Sequence, residues 1–160
     1  MGMTATLDRM VHSKAIHHEL GIEIGLGDCS APGGSGGDLS PIDVMAMSIA
    51  TCLMLVMGKG ARTKGIDLTG TWADIAYDLD LKDYIIRSVS VTIHSSQTPL
   101  DIDRAFLEKE SHKCPVYLAV KDNVKVNVAF EWGSNTVPTS KSRTQPQSTH
   151  SGSCGATHKP

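Results

Sequence analysis

The sequence lacks closely spaced cysteines, and this absence limits the kinds of site that it can form. Its four cysteines lie far apart: Cys29, Cys52, Cys114 and Cys154. None belongs to a Cys-x-x-Cys pair, whereas exported disulfide scaffolds are denser in cysteine and structural zinc sites show close ligand pairs. His17 and His18 do not complete a metal site, because adjacent residues point to opposite faces of a strand. We therefore expect no metal centre, and cysteines that are either core residues or redox-active thiols.

Dense basic runs and very long apolar stretches are also missing. The formal net charge is −2 and the pI is about 6.4, which argues against a nucleic-acid or anionic-membrane partner. The longest apolar stretch, residues 42–57, contains Asp43 and is shorter than the roughly 18–20 residues that cross a bilayer. It lies well inside the chain, and no signal-peptide pattern precedes it. These features predict a cytoplasmic protein with no nucleic-acid and no membrane partner.

Length and composition indicate how the chain divides. The 160 residues suffice for one domain with a core of its own. The first forty residues are predicted to form short strands broken by Gly21, Gly25 and Gly27. The glycine-rich loop APGGSGG follows these strands. Residues 134–160 are rich in Ser, Thr, Pro and Gly, a composition typical of a disordered tail. We therefore expect a single domain over residues 1–133 and a low-complexity tail over 134–160.

Three later segments alternate between apolar and polar residues. They cover residues 71–81, 85–93 and 124–132. Such alternation indicates half-buried strands with one solvent-exposed face, as in an antiparallel sheet. The segment TPLDIDRAFLEKESHK lies between the last two strands, opens with a Thr-Pro-x-Asp cap and carries apolar residues at helical spacing. The pattern predicts a sheet of such strands with a helix between the last two.

A long helix is predicted over residues 40–64, and it is apolar on all sides. Ser40 is a suitable N-cap, Pro41 occupies the first helical position, and Asp43 stands where a capping box requires an acid. Gly65 provides the stop. A helix that is apolar all round must be covered all round, and one small sheet covers only one side. Part of its surface should therefore meet another subunit.

Two of the cysteines stand in positions where a thiol can do chemistry. Cys52 lies within the apolar central helix, where a cysteine is more often simply a small core residue. Cys114 precedes Pro115, which can open a helical turn whose unpaired N–H groups favour a thiolate. His112 is close enough in sequence to tune Cys114, although a solvent-facing histidine beside Lys113 is the commoner case. The residues alone leave both interpretations open.

Four segments in a fixed order carry a resemblance to a known family. They are SPIDVMAMSIATCLM, KGIDLTG, CPVYLAV and VKVNVAFEW. In this order and spacing, from about Leu7 to Trp132, the chain resembles the OsmC/Ohr family of osmotically induced and organic hydroperoxide resistance proteins. The resemblance implies an α+β fold with antiparallel sheets packed around a long buried central helix. It also implies an intertwined homodimer with two active sites at its interface.

The resemblance further implies a two-cysteine peroxidase that reduces organic hydroperoxides. Cys52 would be the attacking cysteine and Cys114 the resolving one, so that a Cys52 sulfenic acid condenses to a disulfide. Arg9 would match the arginine that supports the thiolate, and Asp43 the carboxylate that orients the arginine. No cofactor is implied, only an external reductant such as a lipoyl group or another dithiol.

Two positions depart from the family pattern, and other functions stay open. The hydroperoxide resistance branch has glutamate directly after the proline, where this chain has Ile42; Asp43 follows one position later and is shorter. Asp43 could also serve only as a helix cap, and Arg9 could be a surface charge. The alternative function is a stress-response protein, or a binder of small apolar molecules, with this fold and without significant turnover.

Overall fold

The structure, a computed structural model, describes residues 2–9, 11–27 and 39–134. These residues fall into two compact units, one ending at Met45 and the other beginning at Ala46, so the division lies within a helix. The glycine-rich loop, the predicted tail from residue 135 onward, Cys29 and Cys154 all lie outside the described residues. The prediction of one domain with a disordered tail therefore stays a prediction.

The first unit contains a three-stranded antiparallel sheet. Its strands are β1 (Met3–Arg9), β2 (His12–His17) and β3 (Ile22–Gly27), in the order β1-β2-β3. Gly21 has a positive φ of 63° in the turn before β3, as a tight turn between strands favours. Gly25 does not break the strand as predicted: it pairs with Lys14, and a Cβ there would lie 3.3 Å from the His12 ring.

The central helix α1 (Pro41–Thr63) confirms the predicted caps. Asp43 N–H donates to Ser40 Oγ at 3.0 Å, and Ser40 N–H and Oγ–H each donate to Asp43 Oδ2 at 2.8 Å, which forms a capping box. At the other end Gly65 has a φ of 67°. Ile66 N–H donates to the carbonyl of Ala61, and Gly65 N–H donates to the carbonyl of Arg62. This is a Schellman ending, so local sequence defines both ends of the helix.

The second unit contains a mixed sheet. Its strands are β4 (Trp72–Asp80), β5 (Ile85–Ser95) and β6 (Lys125–Trp132), in the order β4-β5-β6. The pair β4–β5 is antiparallel and the pair β5–β6 is parallel. The α+β prediction is confirmed, but the expectation of an antiparallel sheet is wrong for β6. The chain crosses over from β5 to β6 through two helices, and a parallel pair needs such a crossover.

The crossover consists of α2 (Asp101–Ser111) and α3 (Pro115–Val120). The predicted Thr-Pro-x-Asp cap does not form, because α2 starts at Asp101 after an extended Leu100, and no side chain caps it. Asp101 and Asp103 instead place negative charge in the first turn, where the helix dipole favours it.

The core of the second unit lies between one face of α1, the sheet and α2. Its buried apolar residues on α1 recur at helical spacing, and those on β5 alternate: Ala46, Ile49, Ala50, Leu53, Met57 and Ala61; Val89, Val91 and Ile93. Leu107 of α2 is also fully buried. The opposite face of α1 is open, since Leu55 keeps 67% of its surface exposed and Met47 keeps 37%. The prediction that another subunit covers this helix remains to be tested.

The central helix extends beyond the apolar stretch 42–57 at both ends, as predicted. It has 23 residues and includes an 18-residue window with a mean hydropathy of 1.8, so by length and composition alone it could cross a membrane. The statement that the stretch is too short to span is therefore wrong. The core helix of a globular domain has the same properties, and seven residues of α1 are buried.

Candidate active site

The structure brings Cys52 and Cys114 together. Cys52 lies near the middle of α1 and is half-buried, whereas Cys114 precedes α3 and has 0% of its surface exposed. Both are free thiols, and their side chains lie close enough for Cys52 to raise the pKa of the Cys114 thiol. Cys52 is therefore partly accessible to a substrate, whereas Cys114 is accessible only to groups inside the protein.

Local sequence explains the position of Cys114. Pro115 occupies the first position of α3, and Cys114 is its N-cap, with a non-helical ψ of 121°. The sulfur accepts a hydrogen bond from Tyr117 N–H at 3.2 Å, and the Cys114 carbonyl accepts from Leu118 N–H at 3.0 Å. The predicted placement at a helix start is confirmed. The sulfur accepts the backbone hydrogen bond that a serine or threonine oxygen usually accepts at an N-cap.

Burial decides the protonation of Cys114. Desolvation is the largest influence and raises the pKa of its thiol, and the contact with Cys52 raises the pKa further. The backbone N–H groups of Tyr117 and Val116 lower it but do not reverse the direction. The expectation that the helix start favours a thiolate at Cys114 is therefore wrong in its net effect. Cys114 is held as a neutral thiol at neutral pH.

Asp43 has a structural role that is fully visible. It lies in the first turn of α1, nine residues before Cys52, and its Oδ2 closes the capping box with Ser40. It belongs to the first compact unit, and Cys52 belongs to the second. A share in activating Cys52 stays a prediction.

Arg9 is the last residue of β1, where its backbone pairs with His12 after an irregularity in the register. Its side chain lies outside the described part of the structure. The assignment of Arg9 as the supporting cation therefore also stays a prediction.

The groups next to Cys114 differ from the sequence expectation in one respect. Lys113 is exposed and paired with Glu110, as expected for a surface lysine. His112 does not simply face solvent: it is half-buried, and its Nδ1 lies 2.8 Å from the Glu108 carbonyl oxygen. Its ring meets that of Tyr117 edge-on at 5.2 Å between centroids. Proximity to the Cys-Pro step was the only sequence signal for this residue.

No metal cluster accompanies the thiols in the described ranges, 2–9, 11–27 and 39–134, where no three His, Cys, Asp or Glu side chains are grouped to hold an ion.

Comparison with known families identifies the family to which the chain belongs. The sequence model of the family described as OsmC-like protein matches residues 34–129, more than half of the chain, and this match includes both Cys52 and Cys114. The chain belongs to the OsmC-like family. No curated protein matches this OsmC-like chain.

Solved structures share the fold of the OsmC-like chain. One from Psychrobacter arcticus 273-4, named for osmotic stress induction and detoxification response, is 25% identical, with a TM-score of 0.73 over 82% of this chain and 96% of the other. An organic hydroperoxide resistance protein OsmC from Legionella pneumophila is 18% identical, with a TM-score of 0.60 over 82% and 97%. The organic hydroperoxide resistance protein OhrB of Bacillus subtilis is 16% identical, with a TM-score of 0.58 over 82% and 98%. The predicted family and its α+β fold are confirmed, and the intertwined homodimer stays a prediction.

Proposed function

We propose that this OsmC-like chain is a thiol peroxidase that reduces organic hydroperoxides through Cys52 and Cys114. The proximity of the two thiols carries the proposal, because the fold brings together two cysteines that are far apart in sequence, as disulfide formation requires. Membership of the family supports it, as do the fold-sharing relatives named for organic hydroperoxide resistance. The function is a response to peroxide stress, in the cytoplasm.

The two steps of oxidation balance without a cofactor. The Cys52 thiolate attacks one peroxide oxygen, the O–O bond breaks, and the alkoxide leaves as an alcohol after taking up a proton. Cys52 is then a sulfenic acid. The Cys114 sulfur attacks the Cys52 sulfur, the disulfide forms, and the sulfenic oxygen leaves as water with the proton of the Cys114 thiol. An external dithiol, a lipoyl group or a related compound, then reduces the disulfide and is itself oxidised.

The difference in burial supports this division of roles. A substrate must reach the attacking sulfur, and Cys52 is the partly accessible one. Cys114 is buried as a neutral thiol, so it is a poor first nucleophile but stands beside the sulfur that it must attack. In this proposal Arg9 supplies the fixed cation for the Cys52 thiolate, Asp43 orients it, and a second copy of the chain covers the open face of α1.

A thiol count tests the proposal directly. Cys29 and Cys154 are replaced by serine, and free thiols are counted before and after one equivalent of an organic hydroperoxide. We expect two thiols to disappear together, and peptide mass analysis to find a Cys52–Cys114 disulfide. If the thiols survive, or if a disulfide joins different subunits, the proposed mechanism is wrong. Survival would favour the alternative of a stress-response or binding protein without turnover.

A further inference from the structure

Glu108 joins the end of α2 to β6 and to the loop before Cys114. Its carboxylate Oε1 accepts a hydrogen bond from Trp132 Nε1 at 2.9 Å. Its backbone carbonyl lies 2.7 Å from Ser111 Oγ and 2.8 Å from His112 Nδ1. One residue thus connects the last turn of α2 with the last residue of β6 and with His112.

His112 continues this connection toward the thiol. Because a carbonyl oxygen only accepts, the hydrogen bond to Glu108 requires a proton on Nδ1 of His112. The ring then packs edge-on against Tyr117 and lies 6.3 Å from the Phe130 ring of β6. Tyr117 N–H in turn donates to the sulfur of Cys114. The imidazole therefore lies between the end of α2 and the helical turn that holds the Cys114 sulfur.

We propose that His112 is a positioning residue for the step in which Cys114 attacks oxidised Cys52. This inference rests on the proposed peroxidase function. Forming a disulfide brings two sulfurs to about 2.05 Å with a restricted dihedral angle, so a small displacement of either cysteine slows the reaction. Cys52 is placed by a long helix, whereas Cys114 is placed by a short loop between two helices. His112 restrains that loop.

Of the two neighbouring side chains, Ser111 shares this carbonyl and Lys113 does not. Ser111 is buried, its hydroxyl donates to the Glu108 carbonyl within α2, as serine commonly does in a helix, and its Oγ lies 3.4 Å from His112 Nδ1. Lys113 is exposed and paired with Glu110 on the surface. Lys113 therefore provides a matched control, because it stands in the same loop, one residue nearer to Cys114.

The test separates the two oxidation steps in a background with Cys29 and Cys154 replaced by serine. Sulfenic acid formation is followed by trapping with dimedone, and disulfide formation by mass analysis after one equivalent of an organic hydroperoxide. For His112→Ala we expect an unchanged first step and disulfide formation slowed about five- to ten-fold, the effect of losing one hydrogen bond. Over-oxidised Cys52 should accumulate at higher peroxide. Lys113→Ala should behave like the parent.

A conservative variant distinguishes positioning from a general loss of structure. In His112→Asn the amide nitrogen occupies the place of Nδ1 and can donate to the same carbonyl, so part of the disulfide rate should return. His112→Phe keeps the ring but has no donor, and should stay slow. Parent-like disulfide formation in His112→Ala overturns the inference, and so does an equal slowing of both steps or an equal effect of Lys113→Ala.

A measurement without peroxide keeps this inference distinct from the proposed function. Iodoacetamide alkylation of Cys114 in the reduced protein should be slow in the parent, because the thiol is buried. It should be faster in His112→Ala and unchanged in Lys113→Ala. If the parent forms no disulfide with peroxide, the proposed function fails. If Cys114 alkylation is unchanged in His112→Ala, the positioning role fails.

Discussion

Gly60 of α1 packs directly against Glu110 of α2. A Cβ at position 60 would lie 3.1 Å from Glu110 Cγ and 3.2 Å from its Cβ, and 3.5 Å from the ring of Phe106. Two positions earlier on the same helix, a Cβ at Gly58 would meet nothing within 4 Å. The glycine at 60 therefore permits close approach of the two helices, and the glycine at 58 does not serve that purpose within this chain.

Alanine at these two positions should have opposite effects on stability. Gly58→Ala should raise the free energy of unfolding by about 0.5–1 kcal/mol, because alanine loses less backbone entropy in a helix. The free energy of unfolding of Gly60→Ala should be about 1–3 kcal/mol lower than that of Gly58→Ala, because overpacking against Glu110 offsets the entropic benefit of alanine. Urea denaturation of both variants measures the difference. Equal stabilities would mean that α2 moves away from Gly60 at little cost.

The roles of the two cysteines predict different defects. Cys52→Ser should abolish peroxide consumption, because no sulfur then reacts with the substrate. Cys114→Ser should consume about one equivalent of peroxide rapidly and then stop, with Cys52 trapped as sulfenic or sulfinic acid. Peroxide consumption with a dithiol reductant checks both variants. Normal cycling of Cys114→Ser would contradict its assignment as the resolving cysteine.

Burial of Cys114 predicts a dependence of stability on alkaline pH. Its pKa is raised in the folded protein above the ordinary value of 9.0, mainly by desolvation. A raised pKa contributes stability that is fully present below the ordinary pKa and is lost as the pH rises through the folded value. The free energy of unfolding should therefore decline above about pH 9, and less steeply in Cys114→Ala. Identical pH profiles for the two proteins would show that Cys114 is not responsible.

The open face of α1 predicts a homodimer. Leu55 is 67% exposed in the single chain, and contact with a second copy would bury it. Leu55→Lys should therefore shift the protein toward monomer, measured by light scattering at micromolar concentration. Ile102→Lys is the matched control, because Ile102 is 75% exposed on α2 and should leave the assembly unchanged. A parent protein that is monomeric under these conditions would contradict the prediction.

Arg9 should matter for the first step alone. If its guanidinium supports the Cys52 thiolate, Arg9→Ala should slow attack on an organic hydroperoxide about ten-fold or more. Arg9→Lys should recover only part of the rate, because a point charge does not reproduce the planar fork that a carboxylate can hold. Single-turnover rates of Cys52 oxidation across pH compare the three proteins. Unchanged rates in Arg9→Ala would mean that another group, or none, supports the thiolate.

The features that could be predicted from sequence depend on local interactions. Ser40, Asp43 and Gly65 define the ends of α1 through hydrogen bonds to nearby backbone, so their pattern is visible in a short segment. The parallel pairing of β6 could not be predicted in this way, because the same alternation suits strands of either direction. The start of α2 was misplaced because the Thr-Pro-x-Asp pattern suggests a cap that the extended Leu100 replaces.

The candidate site depends on contacts between distant segments. No spacing rule predicts that Cys52 and Cys114 meet, and only the family resemblance pointed to it. The contacts of His112 could not be predicted either, because its partners are a backbone carbonyl of α2 and an aromatic ring of α3. Burial of Cys114 also outweighs the helix-start effect that local sequence suggested.

The parallel pairing of β5 with β6 also has a consequence for the order of folding. The hairpin β4–β5 and helix α1 involve neighbouring segments, whereas β6 can add only after the whole α2–α3 crossover has closed, at a larger entropic cost. Cys114 lies within that crossover. We therefore expect the two sulfurs to approach each other only when the crossover packs against α1, so that a chain at an earlier stage of folding carries separate, unpaired thiols. The approach of Cys52 to Cys114 would then report on the closure of the crossover.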